Sequence, residues 1–153
     1  MKKKVIGVAL GALLFAPSVS AHAQQMGKVF RIGYLDGGTA AGSAVLVDEF
    51  RQELSKLGWI EGQNIAIEYR FSENKGPRRM PELAADFVRL KVDLIVVAGE
   101  PTALAAKKVT TTIPIVMTIA ADPVAAGLVA SLARPGANVT GLSNKLRQRS
   151  STT

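Results

Sequence analysis

The chain has 153 residues, 48% of them hydrophobic, enough for one domain with its own core, and it fits neither a disordered nor a fibrous class. It contains no cysteine, which excludes disulfides, thiolate zinc sites, iron–sulfur clusters, cysteine nucleophiles and a lipid-anchoring cysteine in this sequence. The formal net charge is +7, but Lys2, Lys3 and Lys4 stand at one end and Lys145, Arg147 and Arg149 at the other; without a Lys/Arg stripe interleaved with aromatics, nucleic acid is not an expected partner.

Residues 1–23 read as a secretory signal peptide. Three lysines precede an apolar run from Val5 to Ala16, and Ala21-His22-Ala23 supplies a small-residue cleavage pattern. The run is shorter than the roughly 20 residues needed to cross a bilayer. Cleavage before Gln24 and delivery to the periplasm are therefore expected, and the sole histidine, His22, departs with the segment. Residues 24–144 form the expected folded lobe, and 145–153, polar and without apolar periodicity, the expected disordered tail.

Within the lobe, strand-like and helix-like segments alternate. The first strand runs from about Phe30 to Leu35 and ends in Asp36-Gly37-Gly38-Thr39. Val47, Phe50, Leu54 and Leu57 then recur at helical spacing, with Ser43 as candidate N-cap and Gly58 as terminator. Ile65, Ile67 and Tyr69 alternate with Ala66, Glu68 and Arg70, the period-two pattern of a strand at a sheet edge. A polar loop from Ser72 to Arg79 leads to Pro81 and a second helix whose Leu83, Phe87 and Leu90 face inward. Val92–Ala98 and Ile113–Ile119 have the apolar, β-branched composition of central strands covered on both faces. Between them Pro101 opens an alanine-rich helix to about Lys108. After them Asp122-Pro123 predicts a further helix with Leu128, Val129 and Leu132 inward and Gly136 as terminator, and Val139–Leu142 supplies a short fifth strand.

This succession predicts an α/β fold, a doubly wound parallel sheet of five strands in the order 2-1-3-4-5. Ligands of such sheets bind beyond the carboxyl ends of the strands, where loops and helix N-termini converge. Three loops qualify: Asp36-Gly37-Gly38-Thr39 after the first strand, Gly99-Glu100-Pro101-Thr102 after the third, and Ala120-Ala121-Asp122-Pro123 after the fourth. The competing readings are plain. Gly37-Gly38 lacks both the dinucleotide and the P-loop spacing and serves equally as a tight turn. Asp122 before a proline serves equally as an N-cap. Glu100 is either a lone carboxylate available for acid–base work or a charge that favours the helix dipole. No nucleophile–base pair accompanies them, and no metal-ligand cluster or cofactor motif is present, so no cofactor is expected. Trp59 follows Gly58 at the opposite end of the sheet and reads as packing.

Longer motifs carry a resemblance. R-I-G-Y-L-D-G-G at Arg31–Gly38, F-R-Q-E-L-S-K-L-G-W-I-E-G-Q-N-I-A-I-E-Y-R at Phe50–Arg70 and P-E-L-A-A-D-F-V-R-L-K-V-D-L-I-V-V-A-G at Pro81–Gly99 come first. T-I-P-I-V-M at Thr112–Met117 and A-D-P-V-A-A-G-L-V-A-S-L-A-R-P-G-A-N-V-T-G-L-S at Ala121–Ser143 follow. Together they resemble the ABC-transporter substrate-binding proteins that include tryptophan and tyrosine binders. The resemblance implies one lobe of a type I periplasmic binding protein, no catalysis, a small solute such as an amino acid, and an ABC permease of the inner membrane as partner. It carries ligand contact, by loop position, to Gly37, Gly38, Thr39, Gly99, Glu100, Pro101, Thr102 and Asp122. It also implies a second lobe, where this sequence instead ends in K-L-R-Q-R-S-S-T-T; a truncated, one-lobed product is the expectation. The alternatives are a small exported enzyme acting on an anionic metabolite, with Glu100 or Asp122 as acid/base and Thr39 as donor, and a nonfunctional gene remnant.

Overall fold

The computed structural model describes residues 28–131 and 137–143. The signal-peptide segment, most of the expected tail, and the helix positions Leu132 and Gly136 lie outside the described residues.

Five strands, β1 (Phe30–Asp36), β2 (Ile65–Phe71), β3 (Leu94–Ala98), β4 (Ile115–Ala120) and β5 (Val139–Ser143), form one sheet in the order β2-β1-β3-β4-β5. Every pairing is parallel, with Asp36 opposite both Phe71 and Ala98. The alternating strand lies at an edge and the apolar third and fourth strands lie inside, as their patterns require. Among the described residues three helices, α1 (Ala44–Lys56), α2 (Met80–Leu90) and α3 (Glu100–Val109), connect β1 through β4.

Because successive strand residues point to opposite faces, β1 and β3 each feed two cores, while β4 contributes to one. Leu35, Ile95, Val97, Ile115 and Met117 meet α2 and α3 through Leu83, Ala84, Phe87, Ala103 and Ala106. Ile32, Tyr34 and Val96 point to the other face, where Val47, Phe50 and Leu54 of α1 pack with Ile67, Tyr69 and Phe71. Gly33 is small for a reason: a Cβ there would come within 2.7 Å of the fully buried Phe87 ring.

Three local expectations are corrected. Leu57 is 75% exposed, because α1 stops at Lys56 and the chain turns away through Leu57 and Gly58, the latter at φ +84°. Ser43 occupies the N-cap position of α1 but its hydroxyl makes no cap; it donates to Asp36 Oδ2 at 2.8 Å. The residues after β4 form turns over 123–127 instead of a helix. Asp122 Oδ1 does accept from the Ala125 N–H at 3.1 Å, but Gly127 takes φ +69° and the N–H groups of Leu128 and Val129 both turn back to Pro123 O. Lys107 Nζ donates to the carbonyls of Gly127 and Leu128, which supports this non-helical path. Leu128 and Val129 are buried all the same.

Candidate functional site

The candidate site lies where the sheet order reverses direction, at the carboxyl ends of β1 and β3. β1 leads to α1 on one face, whereas β3 leads to α3 on the other, so the two loops part at this edge. The structure brings all three expected loops to this edge. A Cβ built on Gly37 would stand 4.0 Å from Thr102 Cγ2, which joins the first loop to the third. Glu100 Oε1 accepts from the N–H groups of Ala121 and Asp122, at 2.9 and 3.0 Å, which joins the third loop to the fourth.

The side chains themselves are largely engaged in holding these loops. Thr39 Oγ1 accepts from the Gly42 N–H at 3.0 Å. Thr102 is 1% exposed and its hydroxyl lies within hydrogen-bond reach of the Ala98 and Gly99 carbonyls, at 2.9 and 2.8 Å. Gly99 adopts φ +96° and ψ 167°, a conformation open to glycine alone, and this bend sets Glu100 at the first position of α3. Pro101 follows within the first turn, where a missing N–H is harmless. Helix geometry leaves the N–H groups of Glu100 and Thr102 without intrahelical acceptors, so backbone amides at the start of α3 are the polar groups this loop can turn toward a bound molecule.

Two features escaped the sequence reading: the anchoring role of Asp36, which it placed in the first loop without a function, and the loop after β2. Asp36 is buried, at 8% exposure; its Oδ1 accepts from the Gly38 N–H at 2.7 Å and its Oδ2 from Ser43 Oγ. It thereby folds the Gly37-Gly38 turn back beneath the N-terminus of α1, where helix dipole and carboxylate attract. Burial pushes the Tyr34 phenol above its ordinary pKa, and the charge and hydrogen bond of Asp36 add to that rise. The second feature is the loop after β2. Ser72 is fully buried, its N–H donating to Asp36 O at 2.9 Å and its hydroxyl to Gly37 O at 2.5 Å, while the Glu73 N–H donates to Gly38 O at 2.9 Å. Three consecutive carbonyls of the first loop are thus fastened by the second. The available signal was the predicted order 2-1-3, which already set β2 beside β1 and hence their loops together.

Trp59 stands apart from this edge, its ring 6.1 Å from that of Phe30 and 44% exposed. Among the described residues no group of three or more His, Asp or Glu is disposed to hold a metal.

Comparison with known proteins decides the family. The family model for ABC transporter substrate binding proteins matches residues 41–151. The chain belongs to that family. A tyrosine-binding protein of Clostridioides difficile (strain R20291) is 43% identical over 97 residues, 63% of this chain and 28% of the relative. Among solved structures, a ligand-free, open substrate-binding protein with adhesive properties from Clostridium difficile superposes with TM-score 0.69 at 36% identity, over 75% of this chain and 39% of that one. An ABC domain in complex with L-Trp from Streptococcus pneumonia superposes with TM-score 0.68 at 27% identity, over 74% of this chain and 38% of that one. The chain therefore spans between about a quarter and two-fifths of the length of these relatives, and its parallel five-stranded α/β lobe has the fold of the matching part.

Proposed function

We propose that the chain supplies one wall of a cleft that takes up a small amino-acid solute, as part of the periplasmic component that hands it to an ABC permease. The observation that carries this reading is the convergence of three strand-to-helix loops at the reversal point of the sheet, each held there by its own side chains. Those loops contain Gly37, Gly38, Thr39, Gly99, Glu100, Pro101, Thr102 and Asp122, and they offer backbone amides and small residues that let a ligand approach the main chain closely. Relatives described as a tyrosine-binding protein and as an L-Trp complex favour an aromatic amino acid. A two-lobed cleft buries most of a small ligand by closing on it, so one wall alone binds weakly. The signal-like segment at residues 1–23 fits export to the periplasm.

Backbone-amide NMR of the chain titrated with L-tyrosine and L-tryptophan tests this. The expected result is saturable shifts at Gly37–Ala40 and at Gly99–Ala103 with weak affinity. Shifts confined to other surfaces, or none at millimolar ligand, refute it. Glu100 fits a strut between two loops better than a general base, since its carboxylate already accepts two backbone N–H groups.

A further inference from the structure

We propose that Glu73, on the loop after the edge strand, is the specificity-determining group that meets the positively charged part of the solute; this rests on the solute-binding reading above. The carboxylates at this edge differ in how far they are engaged. Asp36 is buried and accepts from Gly38 N–H and Ser43 Oγ. Glu100 bridges to Ala121 and Asp122. Asp122 accepts from Ala125 N–H. Glu73 is exposed, and among the described residues its carboxylate accepts only a long contact, 3.4 Å from the Ala40 N–H to Oε1.

The backbone that carries this side chain is nevertheless held from below. Ser72 is fully buried and anchored to Asp36 and Gly37, and the Glu73 N–H is tied to Gly38 O. Glu73 and the following Asn74 both take left-handed backbone conformations, at φ +54° and +55°, uncommon for a glutamate though readily adopted by asparagine. The result is a carboxylate carried on a fixed backbone beside the first loop, within reach of the N–H of Ala40. An anionic group is repelled from this corner and turned toward the amides of α3, while an ammonium group is attracted. The loop therefore sets the orientation of a zwitterion: its amine lies near Glu73 and its carboxylate near Gly99–Thr102.

The test titrates the chain and two variants with L-tryptophan, tryptamine and indolepropionate, following backbone amides. Glu73→Gln keeps shape and hydrogen bonding but removes the charge; Glu73→Gly removes the side chain and suits the left-handed backbone. The unaltered chain should prefer the two amine-bearing ligands over indolepropionate by roughly tenfold or more, as a charge-assisted contact implies. Both variants should lose most of that preference, with indolepropionate binding improved. Unchanged ratios in both variants, or equal binding of indolepropionate and L-tryptophan by the unaltered chain, overturn the role of Glu73 and leave solute binding standing. Failure of all three ligands to bind the unaltered chain overturns the solute-binding reading, and this inference with it.

Discussion

Replacing Gly33 by alanine tests how tightly α2 is packed against β1. Gly33 lies on β1 in ordinary strand conformation, so an added Cβ meets no backbone penalty and the whole effect comes from contact. That Cβ would stand 2.7, 2.8 and 2.9 Å from Cγ, Cδ1 and Cδ2 of Phe87, against the roughly 3.5–4.0 Å that carbon atoms prefer. The ring has little room to yield. Phe87 is fully buried within the core that α2 shares with α3, and the Arg70 guanidinium lies 5.8 Å from its centroid. Relief must come from lifting α2 by several tenths of an ångström, and overpacking of this kind costs about 1–3 kcal/mol. At roughly 4 °C per kcal/mol for a domain of this size, the melting temperature falls by about 4–12 °C. Urea unfolding followed by circular dichroism gives the free energy directly. The decisive measurement is a double-mutant cycle with Phe87→Leu, which makes room for the new methyl: the pair should be less destabilised than the sum of the single changes by about 1 kcal/mol or more. Strict additivity, or a Gly33→Ala effect below about 0.5 kcal/mol, would refute the contact argument.

Gly141→Ala should be more damaging than Gly33→Ala, because its Cβ would fall 2.1 Å from the Met117 carbonyl oxygen and its φ is +149°; loss of amide protection along β4 and β5 in hydrogen exchange is the expected readout. Glu100→Ala should accelerate exchange of the Ala121 and Asp122 amides while leaving Val97 protected, since the carboxylate joins loops and not strands; equal acceleration in both places would show a general loss of stability instead. The Tyr69 phenol is pushed up to about 12, chiefly by burial and then by the Glu61 charge, with Arg51 opposing. A raised folded-state value favours the neutral phenol, so its contribution to stability is complete below the ordinary value of 10.0 and is lost as pH rises toward 12. Absorbance titration should show late ionisation that moves to lower pH in Glu61→Gln, and an unmoved curve would assign the shift to burial alone.

The main lines of the fold were legible because each strand's burial is written in its composition. β2 alternates and lies at the edge; β3 is apolar and packs on helices through both faces, whereas among the described residues β4 is covered by helix only on its Ile115 and Met117 face, with Thr118 and Ile119 exposed where a covering helix was expected. Local signals misled where a neighbour competed with them. Asp122-Pro123 is a sound helix start, yet the left-handed Gly127 and the Lys107 ammonium on its carbonyl end the turn before a helix forms. Ser43 sits where a capping hydroxyl belongs, but Asp36, seven residues earlier, offers the hydroxyl a charged acceptor. Leu57 keeps the helical spacing of Val47, Phe50 and Leu54, although the helix has already ended and no sheet lies beneath it.

The sequence by itself determined the class of fold and the edge at which the loops gather, because hydrophobic periodicity and glycine-proline punctuation are local properties of the chain; its longer motifs carried the family resemblance, and the burial pattern of each strand suggested the order that the structure shows. Only the tertiary structure decided how those loops are held. Ser72 meeting Gly37, Glu73 beside Ala40, and Glu100 bridging to Ala121 and Asp122 all join residues far apart in sequence. Such hydrogen bonds depend on distances of a few ångströms that parallel pairing creates and no local pattern encodes.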